Sequence, residues 1–493
     1  MFRDFLTLTL VKGMDMITCM LMRGVGTFIL VAVLAGCEAA RTPTQSVFIP
    51  ADQKGEERVP DDVRAASKKI AIFFDGTSND ERSATNVWTF YKSVVATGRV
   101  TAFYIEGVGA HGKAIGMATA WGLGLRVREA YSFLLQQYRA GDEIYLFGFS
   151  RGAYAARVLA SMLYHAGLPS NAVQKSSRPS PDALSALIFD AFKCSTWATY
   201  SRCAAVTSVQ RAADINRAIQ DEAWLKMTPV SIRFMGLWDT VEALGWPDYE
   251  ENVDVPNPRY GDQLCNVKKA AQAIALDDNR SRIFTPILLT RRHLLADCTL
   301  EPNIVIVGDS WKVDINERVE EVYFAGAHAD VGGGYTGEPQ GLSLVSLNWM
   351  WDQAFKEGLP IERIAVEDAM EESQRHMACT HDPEGAGVFN VLYKRQYRAI
   401  DRYADSADSS SEKIKFHACL IEHIEARPRG FAEYAGSDPL AQELLDKAGP
   451  SARFRTCFEK TGGVFSWKPT AECKIEIVGE CVAANASAPQ CGS

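Results

Sequence analysis

The sequence predicts an α/β fold: a mainly parallel sheet covered by helices on both faces, with one helical insertion. Three observations predict it. Strand-like runs are apolar on both faces, they alternate with runs of helical periodicity, and the notable polar residues fall at strand ends. Ligands of such sheets bind at the carboxyl ends of the strands. Asp75, Ser150, Asp239 and His328 all follow apolar runs directly.

The elements follow in order. "KIAIFFDGT" (69–77) reads as a buried strand ending in a turn, and "TAFYIEGVGAHG" (101–112) as a second one ending in glycines. "LGLRVREAYSFLLQQYRAG" has apolar residues at helical spacing and a glycine stop. "DEIYLFGFS" (142–150) is a strand and "GAYAARVLASMLYHAG" (152–167) a helix. Residues 170–228 are helical and polar and form the insertion. Residues 246–268 read as loop, and both segments have lid or pocket character because they follow strands on the presumed active face. "VSIRFMGLWDT" and "EEVYFAGAHAD" are strands, followed by the helix "LSLVSLNWMWDQAFKEG". The catalytic domain is read as 68–400, and 401–493 as a C-terminal extension with a disordered tail.

The ends carry different signals. From Met22, an alternative start, one Arg precedes an apolar run that closes on Leu34-Ala35-Gly36-Cys37. A basic start, a short apolar core and small residues describe a secretory signal. A cysteine directly after them matches a bacterial lipobox, with Cys37 lipidated and Glu38 pointing to the outer membrane. A signal anchor, or cleavage without lipid, is the alternative. Residues 38–67 are polar and read as a flexible tether reaching about 30 Å. The expected location is the cell envelope, held by a lipid anchor. Beyond Cys19 and Cys37, ten cysteines suggest disulfides in an oxidising compartment. Cys194 with Cys203, and Cys473 with Cys481, are near enough in sequence to be expected pairs. Neither a CxxC pair nor zinc spacing occurs, so no metal and no cofactor are expected. A net charge of −9 argues against nucleic acid as a partner.

Gly148-Phe149-Ser150-Arg151-Gly152 is the most informative stretch. A serine between glycines, at the exit of a strand and the entry of a helix, reads as a nucleophile elbow, and the sheet becomes α/β-hydrolase-like. The glycines avoid clashes, and the helix directs free amides and its dipole toward developing negative charge. The Arg151 N–H is one expected oxyanion donor. Gly76 or Thr77, in the turn after the first strand, is the second. A serine needs a base, and the base an orienting acid. His328 follows a buried strand and precedes a glycine-rich loop. His293 reads as surface, and His376 and His381 lie in a polar region. Asp239 is the acid that best fits a strand end. Asp330 is its rival, with a brace for the His328 loop as the more natural role. Asp75 in a phosphatase-like or metal-binding site is another scheme.

"IFFDGTSND", "YIEGVGAHG", "GFSRGAYAAR", "GLWDTV", "AIALDDNRSRIFTP" and "FAGAHADVGGGYTGEPQGLSLVSLNWMWDQA" occur in the order of one family. Over residues 68–360 the chain resembles the α/β-hydrolase domain typified by bacterial type VI secretion phospholipase effectors. The resemblance implies phospholipase A-type hydrolysis, with Ser150, Asp239 and His328 at the family's triad positions and membrane phospholipid as substrate. The family commonly has a histidine before the "ALD" block, where this chain has Ala271 and Gln272. Two other readings stand beside this one. One is a thioesterase or glycan deacetylase of the envelope. The other is a non-catalytic envelope lipoprotein that uses the fold for binding.

Overall fold

The structure is a computed structural model. It describes residues 46–49 and 67–108, then 121–426 and 454–482 with internal gaps, chiefly 195–199, 243–257, 301–308, 382–397 and 401–407. The signal segment, Cys37 and the residues after 482 lie outside the described residues.

A nine-stranded sheet organises the chain. Its strands are β1 (Ser46–Ile49), β2 (Lys69–Phe74), β3 (Val100–Ile105), β4 (Glu143–Phe149), β5 (Ile232–Trp238), β6 (Ala270–Ala275), β7 (Val319–Phe324), β8 (Ile414–His417) and β9 (Ile475–Val478). They lie in the order β1-β3-β2-β4-β5-β6-β7-β8-β9. All pairs are parallel except β1 with β3. The expected α/β-hydrolase-like sheet is therefore present. The order reverses where β2 lies between β3 and β4, and the carboxyl ends of β2 and β4 open the crevice typical of such a switch.

Helices cover both faces. One core layer joins Ile70, Ile72, Ile144 and Leu146 of the sheet to α2 (Trp121–Gln137) and α3 (Arg151–Ala166). The other joins Phe73, Phe147 and Trp238 to α1 (Asn86–Val95) and to the later helix over Leu342–Lys356. Burial on both faces explains why these strands read as unbroken apolar runs rather than alternating ones. The insertion contributes α4 (Pro181–Phe192) and α5 (Ser208–Ala218). α6 (Ser310–Arg318), the short α7 (His328–Gly332), α8 (Leu342–Lys356) and α9 (Ala418–Ala426) follow, and α8 packs on the second layer.

The sheet also runs past the boundaries drawn from sequence. β8 and β9 belong to the segment beyond residue 400, yet they pair in parallel with each other, and β8 pairs in parallel with β7. β1 lies inside the expected tether and pairs with β3. Four-residue strands give too short a pattern to stand out. β6, "AAQAIA", has no aromatic residue and only Ile274 as a β-branched one, so it carries little of the composition that marks a strand.

Cys194 pairs with Cys203, as expected. Cys473 and Cys481 do not pair with each other: Cys473 joins Cys457, and Cys481 joins Cys419. β9 runs between them, and four extended residues alone span about 13 Å, beyond disulfide reach. Cys265–Cys298 closes a 33-residue separation and is buried. Replacing both with serine is expected to cost about 2–4 kcal/mol, read from the denaturant midpoint at unchanged slope.

Candidate active site

Ser150 stands between β4 and α3 with φ 59° and ψ −128°. A non-glycine residue in this region is strained and persists only when its surroundings impose it. Those surroundings are tight. A Cβ on Gly148 would lie 2.6 Å from the Ala153 backbone, and one on Gly152 would lie 2.3 Å from the Phe74 carbonyl. The elbow is thus pressed against the end of β2, and the Ser150 N–H donates to the Trp238 carbonyl at 3.0 Å. Gly152→Ala must push β2 away from α3. A drop in melting temperature and loss of soluble yield are expected, measured by thermal unfolding against wild type.

β5 delivers Asp239 at its carboxyl end, with φ 40°. β7 delivers His328, the first residue of α7. His328 Nδ1 and Asp239 Oδ2 are 2.5 Å apart. Asp239 is fully buried, and burial alone would raise its pKa. The Arg398 charge and the His328 contact outweigh that, and the pKa falls below the ordinary value. An ionised carboxylate only accepts, so Nδ1 donates and Nε2 is left as the basic nitrogen. Burial lowers the His328 pKa, with Asp239 opposing, so the ring is neutral near pH 7. Among the described residues, His328 Nε2 is buried without a hydrogen-bond partner. The ring packs on Phe149, the residue before Ser150, at 4.6 Å and edge-on to Phe284 at 4.9 Å. The imidazole is thereby held beside the elbow, with its link to Ser150 not closed.

The oxyanion expectation needs one correction. The Gly76 N–H donates to the Asp75 carboxylate at 2.7 Å and is not available. Sequence spacing could not reveal this, because the acceptor is the neighbouring side chain folding back. Among the described residues nothing accepts from the Thr77 N–H. Arg151 Nε donates to Thr77 Oγ1, which ties this turn to the start of α3.

Asp75 also accepts from Thr85 Oγ1 at 2.7 Å and Tyr104 OH at 2.6 Å, and burial pushes its pKa up to about 6. Those contacts make it a brace for the turn. Asp330 holds the His328 loop in the same manner. It accepts from the N–H groups of Ala327 and His381 and pairs with His381 Nδ1 at 2.5 Å. His293 is partly buried against Asp262. His376 is buried near Cys419 and Cys481, a grouping within metal-ligand distance, but those sulfurs are joined in a disulfide and are not thiolates.

Residues 68–353 match the family described as "T6SS, Phospholipase effector Tle1-like, catalytic domain". The chain belongs to that family. The matched region is the family's catalytic domain, which is named for phospholipase effectors. Among solved structures, the chain is similar to an uncharacterized protein from Pseudomonas aeruginosa. The identity is 17% and the TM-score 0.35, over 63% of this chain and 50% of that one. It is similar to the Tle1 effector bound to the VgrG spike from the type 6 secretion system, at 17% identity and TM-score 0.25, over 61% and 59% of the two chains. It is also similar to an esterase from Thermogutta terrifontis, at 12% identity and TM-score 0.30, over 65% and 91%. Among curated proteins, an uncharacterized protein of Saccharomyces cerevisiae is 29% identical over 137 residues, which is 24% of this chain and 20% of that protein. The chain therefore spans half or less of the Pseudomonas and yeast relatives.

Sequence reasoning missed several side chains around the Tle1-like site. Arg398, beyond the matched region, holds Asp239 with both terminal guanidinium nitrogens. Asp278 accepts from the His328 N–H at 3.1 Å and pairs with Arg280, whose guanidinium lies 3.4 Å from the Phe284 ring centroid. Gln272, where the family commonly has histidine nearby, is fully buried and bonded to Thr240, Ile287 and Glu321. Asp278 and Arg280 sit in a quoted motif and could have been singled out. No local pattern marks Arg398.

Proposed function

We propose that the chain is an envelope serine hydrolase that cleaves carboxylic esters of membrane phospholipids, with phospholipase A-type specificity. The observation that carries the reading is the strained Ser150 elbow beside a buried His328–Asp239 pair. Ser150 Oγ attacks the acyl carbonyl while His328 Nε2 takes its proton. Asp239 holds the imidazole in the required tautomer and stabilises the imidazolium. The N–H groups of Arg151 and Thr77 receive the oxyanion. His328 then protonates the leaving alcohol, and water, activated by the same nitrogen, releases the fatty acid. The acyl-enzyme forms as the ester C–O bond breaks, and no electrons are transferred to or from an external group.

Membrane lipid as substrate draws support from the family and from the proposed anchor at Cys37. The disulfides favour an oxidising compartment, in keeping with export. Among the described residues no helix is long and apolar enough to cross a membrane. Detergent phase separation of wild type and Cys37→Ser, with a fatty-acid label, tests the anchor. Labelled wild type in the detergent phase and unlabelled variant in the aqueous phase are expected. Unlabelled wild type in the aqueous phase removes it.

Activity is tested with a fluorophosphonate probe and a panel of phospholipids, thioesters and acetylated glycan. Labelling of wild type with release of fatty acid from phospholipid is expected. Preference for thioester or acetyl-glycan selects those hydrolases instead. Neither labelling nor turnover leaves a non-catalytic binding protein.

A further inference from the structure

We infer that Arg398 is a positioning residue of the catalytic centre, acting through Asp239, and that the segment beyond residue 353 therefore completes the site. The inference rests on the triad reading above and deepens it. Arg398 Nη1 donates to Asp239 Oδ1 at 2.7 Å, and Nη2 donates to Oδ2 at 2.8 Å. This two-point contact fixes the plane of the carboxylate as a single-point cation would not. The Ala275 N–H adds a bond to Oδ1 at 3.0 Å. Oδ2 is left aligned with His328 Nδ1.

The guanidinium is itself held. Nη1 donates to the Ala275 carbonyl at 2.6 Å, and Nη2 and Nε donate to the Phe284 carbonyl at 2.6 and 3.2 Å. Phe284 is the residue whose ring meets the His328 ring. One side chain thus sets the acid and the wall on the other side of the base. Both partners of the ion pair are essentially inaccessible, with side chains 1% and 0% exposed. A buried carboxylate without a cation would take up a proton rather than stay charged. A protonated Asp239 would neither fix the tautomer nor stabilise the imidazolium. Arg398 touches neither the nucleophile nor the reacting carbonyl, so its effect must pass through Asp239 and Phe284.

A double-mutant cycle with Asp239 tests the inference, using hydrolysis of a short-chain p-nitrophenyl ester by the full chain. Arg398→Ala is expected to lower kcat by about 100-fold or more with little change in KM. In the Asp239→Asn background the same change should cost less than about threefold, because the contact it serves is already lost. That background also lacks the orphaned carboxylate, so the comparison stands if Arg398→Ala alone folds poorly. Arg398→Lys should recover part of the rate. The acid limb of its pH profile should move to higher pH, since a less anchored carboxylate takes up a proton more readily. Equal losses in both backgrounds, or a wild-type rate and pH profile in Arg398→Ala, overturn the inference alone. Wild-type turnover that survives Ser150→Ala overturns the triad reading and this inference with it.

Discussion

Ser150→Ala is expected to abolish ester turnover and fluorophosphonate labelling while leaving the melting temperature near that of wild type. The side chain is small, buried at 4% exposure and seated in an elbow whose shape is set by backbone contacts of Gly148 and Gly152. Alanine keeps the same Cβ at the same φ, so the strain is unchanged and only the nucleophile is lost. The loss should be as large as that of the whole triad, short of the full rate enhancement because the oxyanion hole and binding remain, and His328→Ala should match it closely, since triad members act as a unit. Ser150→Gly supplies an internal control. Glycine adopts φ 59° without penalty, so this variant should be equally inactive but about 1 kcal/mol more stable. Turnover above a few per cent of wild type in Ser150→Ala would remove Ser150 as the attacking group.

The second large effect separates the two candidate acids. Asp239→Asn should lower kcat about 10³- to 10⁴-fold, since an amide can present its N–H₂ to His328 and favour the wrong tautomer. It also turns an amide toward the Arg398 fork, which expects two acceptors. Asp330→Asn should act mainly on stability, because Asp330 accepts from two backbone N–H groups and pairs with His381, on the loop rather than on the base. Its kcat loss should be at least tenfold smaller than that of Asp239→Asn. The reverse order of kcat losses would make Asp330 the acid. In wild type, kcat/KM should rise with pH as His328 loses its proton. Burial lowers the folded pKa of that group, so the rise should lie below the ordinary imidazole value of about 6.5. The same sign holds for stability. A buried neutral histidine contributes fully above the unfolded pKa, and the contribution is lost as pH falls through the lower folded value.

Much of this molecule is local. Apolar runs such as "IAIFF" and "IYLF" become central strands because both faces of the sheet are covered. Glycines at 148 and 152 read as an elbow because a Cβ at either would strike a neighbouring backbone. The positions of Ser150, Asp239 and His328 at strand ends follow from those runs, and so does the loop-bracing contact of Asp330 two residues past His328. The sequence by itself determined these features, since a local pattern announces each of them, even where its contacts reach as far as Phe74 from Gly152 or His381 from Asp330. Tertiary structure decided the rest. Arg398 meets Asp239 across a separation of 159 residues. Cys481 meets Cys419 because β9 lies beside β8. The Gly76 N–H is taken by Asp75, whose carboxylate Tyr104 and Thr85 hold in place. The short strands β1, β8 and β9 do not announce themselves and gain their order from the strand already beside them. Periodicity and turn chemistry report what a residue does to its own stretch of chain. A distant partner is chosen by the path of the whole chain, and no local pattern carries that path.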